Sequence, residues 1–323
     1  MREQESVSII VPTLNAEENV SRLLVSIHNQ EYRPIEVIVV DGGSKDGTVD
    51  AVTGLASELN SESFRVRVLR EKDYGDLRSP ANARNIGVLN ATSKYVLFFD
   101  GDFELTDSSL VSHVKQKLGE HAFVGVKVIP RIDTWLELHC AIDDFRKDLG
   151  SNVHTQCGYR REIFEKAMFD ARLGFGEDRD LEARVGIKPL YVEAYCSRHF
   201  IHTFGEWRRQ AFWYGSTFPR FLRKYWRTID PRRFWINPLA QLAWRTANLS
   251  LLALFLVGIF LSSALSIVAL ALFLARLIYL YAKSVSRKSY RFIYLLLRET
   301  YYAFWFLTCI LTSFIGRSTR GLT

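Results

Sequence analysis

Four β-branched runs, each tied to a helical pattern, constrain the first hundred residues more than anything else in the chain. SVSIIVP is bounded by proline and precedes a helical pattern over Glu17 to Gln30. IEVIVVD leads to a helix from Thr48, RVRVLR to one through Ala81 to Leu89, and KYVLFFD closes the series. Strands alternating with helices predict an α/β fold with a mostly parallel sheet covered on both faces, which places ligands at the carboxyl ends of the strands. Those ends carry Pro12 to Asn15, Asp41 to Ser44 and Asp100 to Asp102.

The 323 residues are 48% hydrophobic and 24% charged, which excludes disorder and collagen-like repeats. Cys140, Cys157, Cys196 and Cys309 form no CxxC pair, so neither a disulfide framework nor a zinc site is indicated and a reducing compartment fits. The apolar run after MREQE is too short for a signal peptide.

The last third is different. Thr246 to Ala275 carry no formal charge, and the apolar stretch resumes after Arg276 as far as Ala282. Length predicts a hairpin of two crossing helices, about 238–260 and 263–282, turning near Gly258 to Ser263, with a third apolar segment over 292–315. The flanks FPRFLRKYWRTIDPRRFW and KSVSRKSYR are strongly basic, which predicts an integral membrane protein with both flanks in the cytoplasm. Whether the chain crosses twice or three times, and on which side it ends, stays open. In 206–237 the basic residues interleave with Phe218, Phe221, Tyr225, Trp226, Phe234 and Trp235, the pattern of an interfacial segment on anionic lipid; a solvated helix face is the alternative. The net charge of +7 is then directed at membrane lipid and not at nucleic acid.

Three motifs carry chemistry. VVDGGSKDGT places Asp41 at a strand end without a GxGxxG fingerprint; its carboxylate can accept from a base or ribose, but by itself a strand-end Asp before Gly-Gly is more often a turn or helix cap. FFDGDFEL sets Asp100 and Asp102 one glycine apart after an apolar strand, where paired carboxylates repel unless a hard divalent cation and substrate phosphates lie between them. GFGEDRDL offers Glu177 and Asp178 as carboxylates to take a proton; the structural alternative is an acidic first helical turn, to which Arg179 and Asp180 belong.

The runs SIIVPTLNAEENVSRLLVSI, EVIVVDGGSKDGT, SPANARNIGVLNATSKYVLFFDGD and GYRREIFEKAMFDARLGFGEDRDLEAR occur in this order. Together they resemble the inverting family 2 glycosyltransferases of GT-A fold over about residues 5–205. The resemblance implies a Rossmann-like mixed sheet and a donor site bordered by Pro12, Thr13, Asn15 and Glu17. It implies Asp41 on the base and Arg84, with Asn85, near the nucleotide or the sheet edge. Asp100, Gly101 and Asp102 match the DxD motif, with Asp102 the direct ligand of Mn²⁺ or Mg²⁺ and Asp100 beside it. Asp178 matches the catalytic base and Glu177 the acceptor side. His202, and less so His199, match an additional metal or phosphate contact in several relatives. Gln210 and Trp213 lie where processive synthases carry QxxRW, but the arginine before the tryptophan is missing, which counts against processive polymerisation. Arg208 and Arg209 suit either the donor diphosphate or lipid phosphate.

The domains expected are a GT-A catalytic domain over 1–205, the interfacial segment 206–237 and an α-helical membrane domain over 238–323. The function expected is a membrane-anchored inverting transferase that moves a sugar from a nucleotide donor, GDP-mannose ahead of UDP sugars, to a hydroxyl of a lipid-linked acceptor. The chain is similar to polyprenyl-linked sugar transferases and to dolichol-phosphate mannose synthases. A polyprenyl-phosphate sugar synthase, whose phosphate acceptor needs no base, is the nearest alternative, and a non-catalytic sugar-nucleotide-binding scaffold a remote one. Oligomeric state stays open.

Overall fold

The computed structural model describes residues 5–131, 157–199, 204–225, 238–286, 300–301 and 303–310. These fall into two compact units, one built from the described residues up to 199 and the other from those after 203.

The first unit is built on β1 (Val7–Thr13), β2 (Ile35–Asp41), β3 (Phe64–Arg70) and β4 (Tyr95–Phe98), all parallel in the order β3-β2-β1-β4. Every residue of β1 is buried, as a strand covered on both faces requires. On one face α1 (Glu17–His28) buries Val20, Leu23, Leu24 and Ile27, and α2 (Thr48–Leu59) adds Val52. On the other lies α3 (Pro80–Asn90), whose Ala83 and Ile86 pack with Ile10, Ile38 and Val40. Ser79 starts α3 by accepting from the Asn82 N–H at 3.0 Å, and Pro80 fills a first-turn position that needs no donor.

The sheet continues through β5 (Phe103–Leu105), β6 (Phe123–Arg131), β7 (Cys157–Arg160) and β8 (Leu190–His199), giving eight strands in the order β3-β2-β1-β4-β7-β6-β8-β5. β7 is antiparallel to both β4 and β6, and β5 to β8, so the sheet is mixed, as in a GT-A fold. Between these strands run α4 (Leu110–Leu118), the single-turn α5 (Ile163–Lys166) and α6 (Glu177–Val185). Phe98 meets Tyr159, Phe164 and Phe169 edge to face beneath α3, and Tyr159 meets Phe164 likewise, with ring centroids 5.4 to 5.8 Å apart.

The second unit holds α7 (Phe204–Tyr225), α8 (Pro238–Leu261), α9 (Ser263–Ser286) and residues 300–310. Phe218 and Phe221 of α7 are buried, and Phe218 packs against Phe306 at 5.2 Å, so these two aromatic side chains face protein. α8 and α9 form a hairpin at Ser262. A Cβ on Gly258 would stand 2.7 Å from the Ser266 nitrogen, which is why the helices can approach closely there.

The reading of this hairpin as a pair of membrane crossings is overturned, because among the described residues no helix is long and apolar enough to cross a membrane. Gln241, Arg245, Asn248 and Ser250 interrupt the first half of α8. Its unbroken apolar run, Leu251 to Leu261, rises only about 16 Å, about half of a hydrocarbon core. In α9, Arg276 ends the run that starts at Ala264. The integral-membrane assignment and the cytoplasmic orientation drawn from the flanks fall with the crossings. Residues 226–237, 292–299, 302 and 311–315 of the expected segments lie outside the described residues. The hairpin turns Ile259, Phe260, Leu261, Ile267 and Ile278 outward.

A Cβ on Gly87 would come within 2.3 Å of Ile10 Cγ2 in the middle of β1. Gly87→Ala is therefore expected to destabilise the chain by about 1–3 kcal/mol through overpacking, against the gain of about 1 kcal/mol that alanine brings to a helix. Urea unfolding measures it; a midpoint equal to or above that of the wild type would contradict this contact.

Candidate active site

The pairing of Thr13 with Asp41 and of Ile10 with Phe98 aligns the carboxyl ends of β2, β1 and β4, so the loops after them lie side by side. The loops after β1 and β2 are stitched together. Gly42 N–H donates to the Thr13 carbonyl at 2.9 Å, the Asn15 N–H to Ser44 Oγ at 2.8 Å, and the Lys45 N–H to Asn15 Oδ1 at 2.8 Å. Asn15 holds a left-handed conformation, φ 50°, which its short amide side chain tolerates. Glu17 accepts from the Gly47 N–H at 3.2 Å, and so ties α1 to the start of α2.

Asp41 is buried, and its carboxylate accepts from the N–H groups of Gly43 at 3.0 Å and Ser44 at 3.1 Å. Gly43 adopts φ 104°, open only to glycine, to present its N–H this way. Asp41 thus fixes its own turn, and that turn carries the Ser44 and Lys45 groups that hold Asn15.

After β4 the chain turns at Asp100, Gly101 and Asp102, closed by the Phe103 N–H on the Asp100 carbonyl at 3.1 Å. A Cβ on Gly101 would stand 3.2 Å from Thr13 Oγ1, which brings this turn onto the end of β1. Pro12 and Thr13 are buried, and Thr13 Oγ1 has no hydrogen-bond partner among the described residues. Among the described residues no three His, Cys, Asp or Glu side chains gather as a metal cage. Two half-buried carboxylates beside an orphaned hydroxyl still fit Mg²⁺ or Mn²⁺, which keep water and phosphate oxygens in their shell. His202 lies outside the described residues, as does the His199 side chain.

Arg84 is 2% exposed, and its guanidinium reaches Asp100 Oδ1 at 2.7 Å and Glu177 Oε1 at 3.3 Å. Burial works against its charge, but Asp100 and Glu177 outweigh burial and raise its pKa above the ordinary arginine value. Glu177 opens α6 behind Gly176, whose φ of 75° starts the helix from a left-handed turn. Burial first, then the Asp178 charge, push the Glu177 carboxyl up to about 8 against the pull of Arg84. Asp100 is the closer partner of the guanidinium, and burial favours the neutral form of Glu177. Asp178 is partly exposed and accepts from the Arg179 N–H at 2.8 Å. Asp180 is fully buried on Arg184 at 2.8 Å, in keeping with a structural role.

One residue and one pairing escaped the sequence reading. Glu71, buried in a 3-10 turn after β3, accepts from Asn82 Nδ2 at 2.8 Å and from the Ser79 N–H at 3.3 Å. It stands against Gly42, where a Cβ would lie 3.2 Å from Glu71 Oε2, and burial raises its pKa. A single glutamate in a loop gives no periodic signal. Asn85 exchanges two hydrogen bonds with the Phe169 backbone, at 2.9 and 3.0 Å, a pairing that spans far too much chain to be read from spacing. In the second unit Arg208 lies over the Trp305 ring at 5.5 Å, and Arg209 is 3.8 Å from Glu206.

The family model of glycosyl transferase family 2 matches residues 8–167. The PGL/p-HBAD biosynthesis glycosyltransferase of Mycobacterium tuberculosis is 35% identical over 193 residues, which span 58% of this chain and 72% of that one. The GalNAc(5)-diNAcBac-PP-undecaprenol beta-1,3-glucosyltransferase of Campylobacter jejuni is 32% identical over 114 residues, 35% of each chain. Among solved structures, a mannosyltransferase from Pyrobaculum calidifontis in complex with GDP-Man and Mn²⁺ aligns with a TM-score of 0.58 at 20% identity, covering 98% of this chain and 89% of that one.

The Glu177 carboxyl binds its proton up to about pH 8 when folded, against an ordinary value of 4.5. Its contribution to stability is complete below the unfolded value and is lost as pH rises through the folded one. Glu177→Gln, which cannot ionise, is expected to match the wild type in urea midpoint near about pH 5 and to gain on it steadily toward about pH 8. Parallel pH profiles would show that Glu177 ionises as an ordinary glutamate.

Proposed function

The chain belongs to glycosyl transferase family 2, and on that premise we propose that it moves a sugar, with inversion, from a nucleoside-diphosphate donor to a hydroxyl of a lipid-linked acceptor. The observation that carries this reading is the link through one buried guanidinium between the Asp100–Asp102 turn and the acidic start of α6. Donor side and acceptor side are thereby parts of one site.

In this reading Asp102 is the direct protein ligand of a divalent ion, Mn²⁺ or Mg²⁺, with Asp100 beside it. The bound ion supplies Lewis-acid stabilisation of the leaving diphosphate. The stitched loops of Thr13, Asn15 and Asp41 form the wall for the nucleoside. Asp178, partly exposed at the start of α6, takes the proton of the acceptor hydroxyl as its oxygen bonds to the anomeric carbon and the bond from that carbon to the diphosphate oxygen breaks. GDP-mannose is the donor of first choice, supported by the sugar nucleotide bound in the Pyrobaculum structure of the same fold. A lipid-linked acceptor is supported by the undecaprenol-linked substrate in the name of the Campylobacter relative.

Asp178→Asn is expected to lower kcat by about 10²–10⁴-fold and to leave donor affinity within about twofold. Asp102→Ala is expected to remove metal-dependent turnover. Release of GDP or UDP from a panel of sugar nucleotides, with Mn²⁺ and a lipid extract, reads both. Full activity of Asp178→Asn would point to a phosphate acceptor that needs no base, and metal-independent turnover would contradict the role of Asp102.

A further inference from the structure

α3 delivers two consecutive side chains to the site, and both reach far along the sequence. Asn85 clamps the backbone of Phe169, and the Phe169 ring then lies 5.9 Å from the Arg84 guanidinium. The guanidinium forks above this floor, Nη2 on Asp100 at 2.7 Å and Nη1 on Glu177 at 3.3 Å. With 2% of its surface exposed, the side chain is enclosed, so any influence on a donor passes through the carboxyls it holds. Its two acceptors stand on different elements. Asp100 opens the turn after β4, and Glu177 opens α6 immediately before Asp178. A planar guanidinium can hold two carboxyls at a set spacing; a lysine ammonium is a point charge on a flexible stem.

We propose that Arg84 is a positioning residue that sets the spacing between the donor-side Asp100–Asp102 turn and the acceptor-side start of α6. This role rests on the transferase reading above. It differs from a direct contact with the nucleotide: Arg84 touches neither substrate, and loosening either end of the fork changes what happens at the other.

The test is a double-mutant cycle of Asp100→Asn and Glu177→Ala in the full chain, made once with Arg84 and once with Arg84→Lys. Two quantities are read in every variant: kcat for sugar transfer, and the Kd of GDP or UDP with Mn²⁺ by calorimetry. With Arg84 present, the effects of the two substitutions on kcat are expected to depart from additivity by at least about fivefold, the mark of groups acting through a shared partner. With Arg84→Lys, they are expected to become additive within about twofold. A merely structural role would scale kcat alike at all four corners of the cycle and leave the coupling unchanged.

Additive effects with Arg84 present, or the same coupling with Arg84→Lys, would overturn the proposal. If Arg84→Lys does not fold, as judged by circular dichroism, the cycle with Arg84 present decides alone. A wild-type chain that binds neither GDP nor UDP with Mn²⁺ and transfers no sugar would overturn the transferase reading, and this role with it. A wild-type chain that binds and turns over, yet shows additive effects, would overturn this role only.

Discussion

α3 lies on β1 so closely that Gly87 leaves no room for a β-carbon. That approach lets a short helix reach across the sheet edge with Arg84 and Asn85, and it decides where the charges of the site stand. A larger residue at 87 would lift α3 away from Ile10, and the guanidinium would leave the two carboxyls it holds. Packing between two apolar surfaces is thus the support of a polar constellation, a common relation where a charged group is held away from water.

The buried arginine also explains an imbalance of acids. Asp100, Glu177 and Asp178 act on one cation, and burial pushes Glu177 toward its neutral form. Asp100 pairs with Arg84, and the partly exposed Asp102 and Asp178 are the two carboxylates given work by the proposed transfer. The same order is seen on the other side of the sheet edge. There Asp41, Asn15 and Glu17 place hydrogen bonds on the loops themselves, which ties the loops after β1 and β2 together.

Much of this was legible in the sequence. The four parallel strands follow from β-branched runs of the right length, and the Asp100–Gly101–Asp102 turn falls where an apolar strand meets two acids. Asp41 was legible as a turn-former. The pairing of Arg84 with Glu177 was not, because it joins residues far apart in sequence with no periodicity between them; the same holds for Asn85 with Phe169. Glu71 gave no signal because a lone loop acid is ordinary. The hairpin over 238–286 was misread for a different reason: counting residues without formal charge ignores Asn248, Ser250 and the other polar groups that shorten the apolar run of α8.

In the proposed transfer the turn after β4 and the start of α6 face one donor. A crystal structure of the chain with GDP-mannose and Mn²⁺ tests it most directly. The ion is expected on the Asp102 carboxylate, the diphosphate against the Asp100–Asp102 turn, and the sugar between that turn and Asp178, with Arg84 still bridging Asp100 and Glu177. A donor seated elsewhere on the sheet, or an ion held without Asp102, would contradict it.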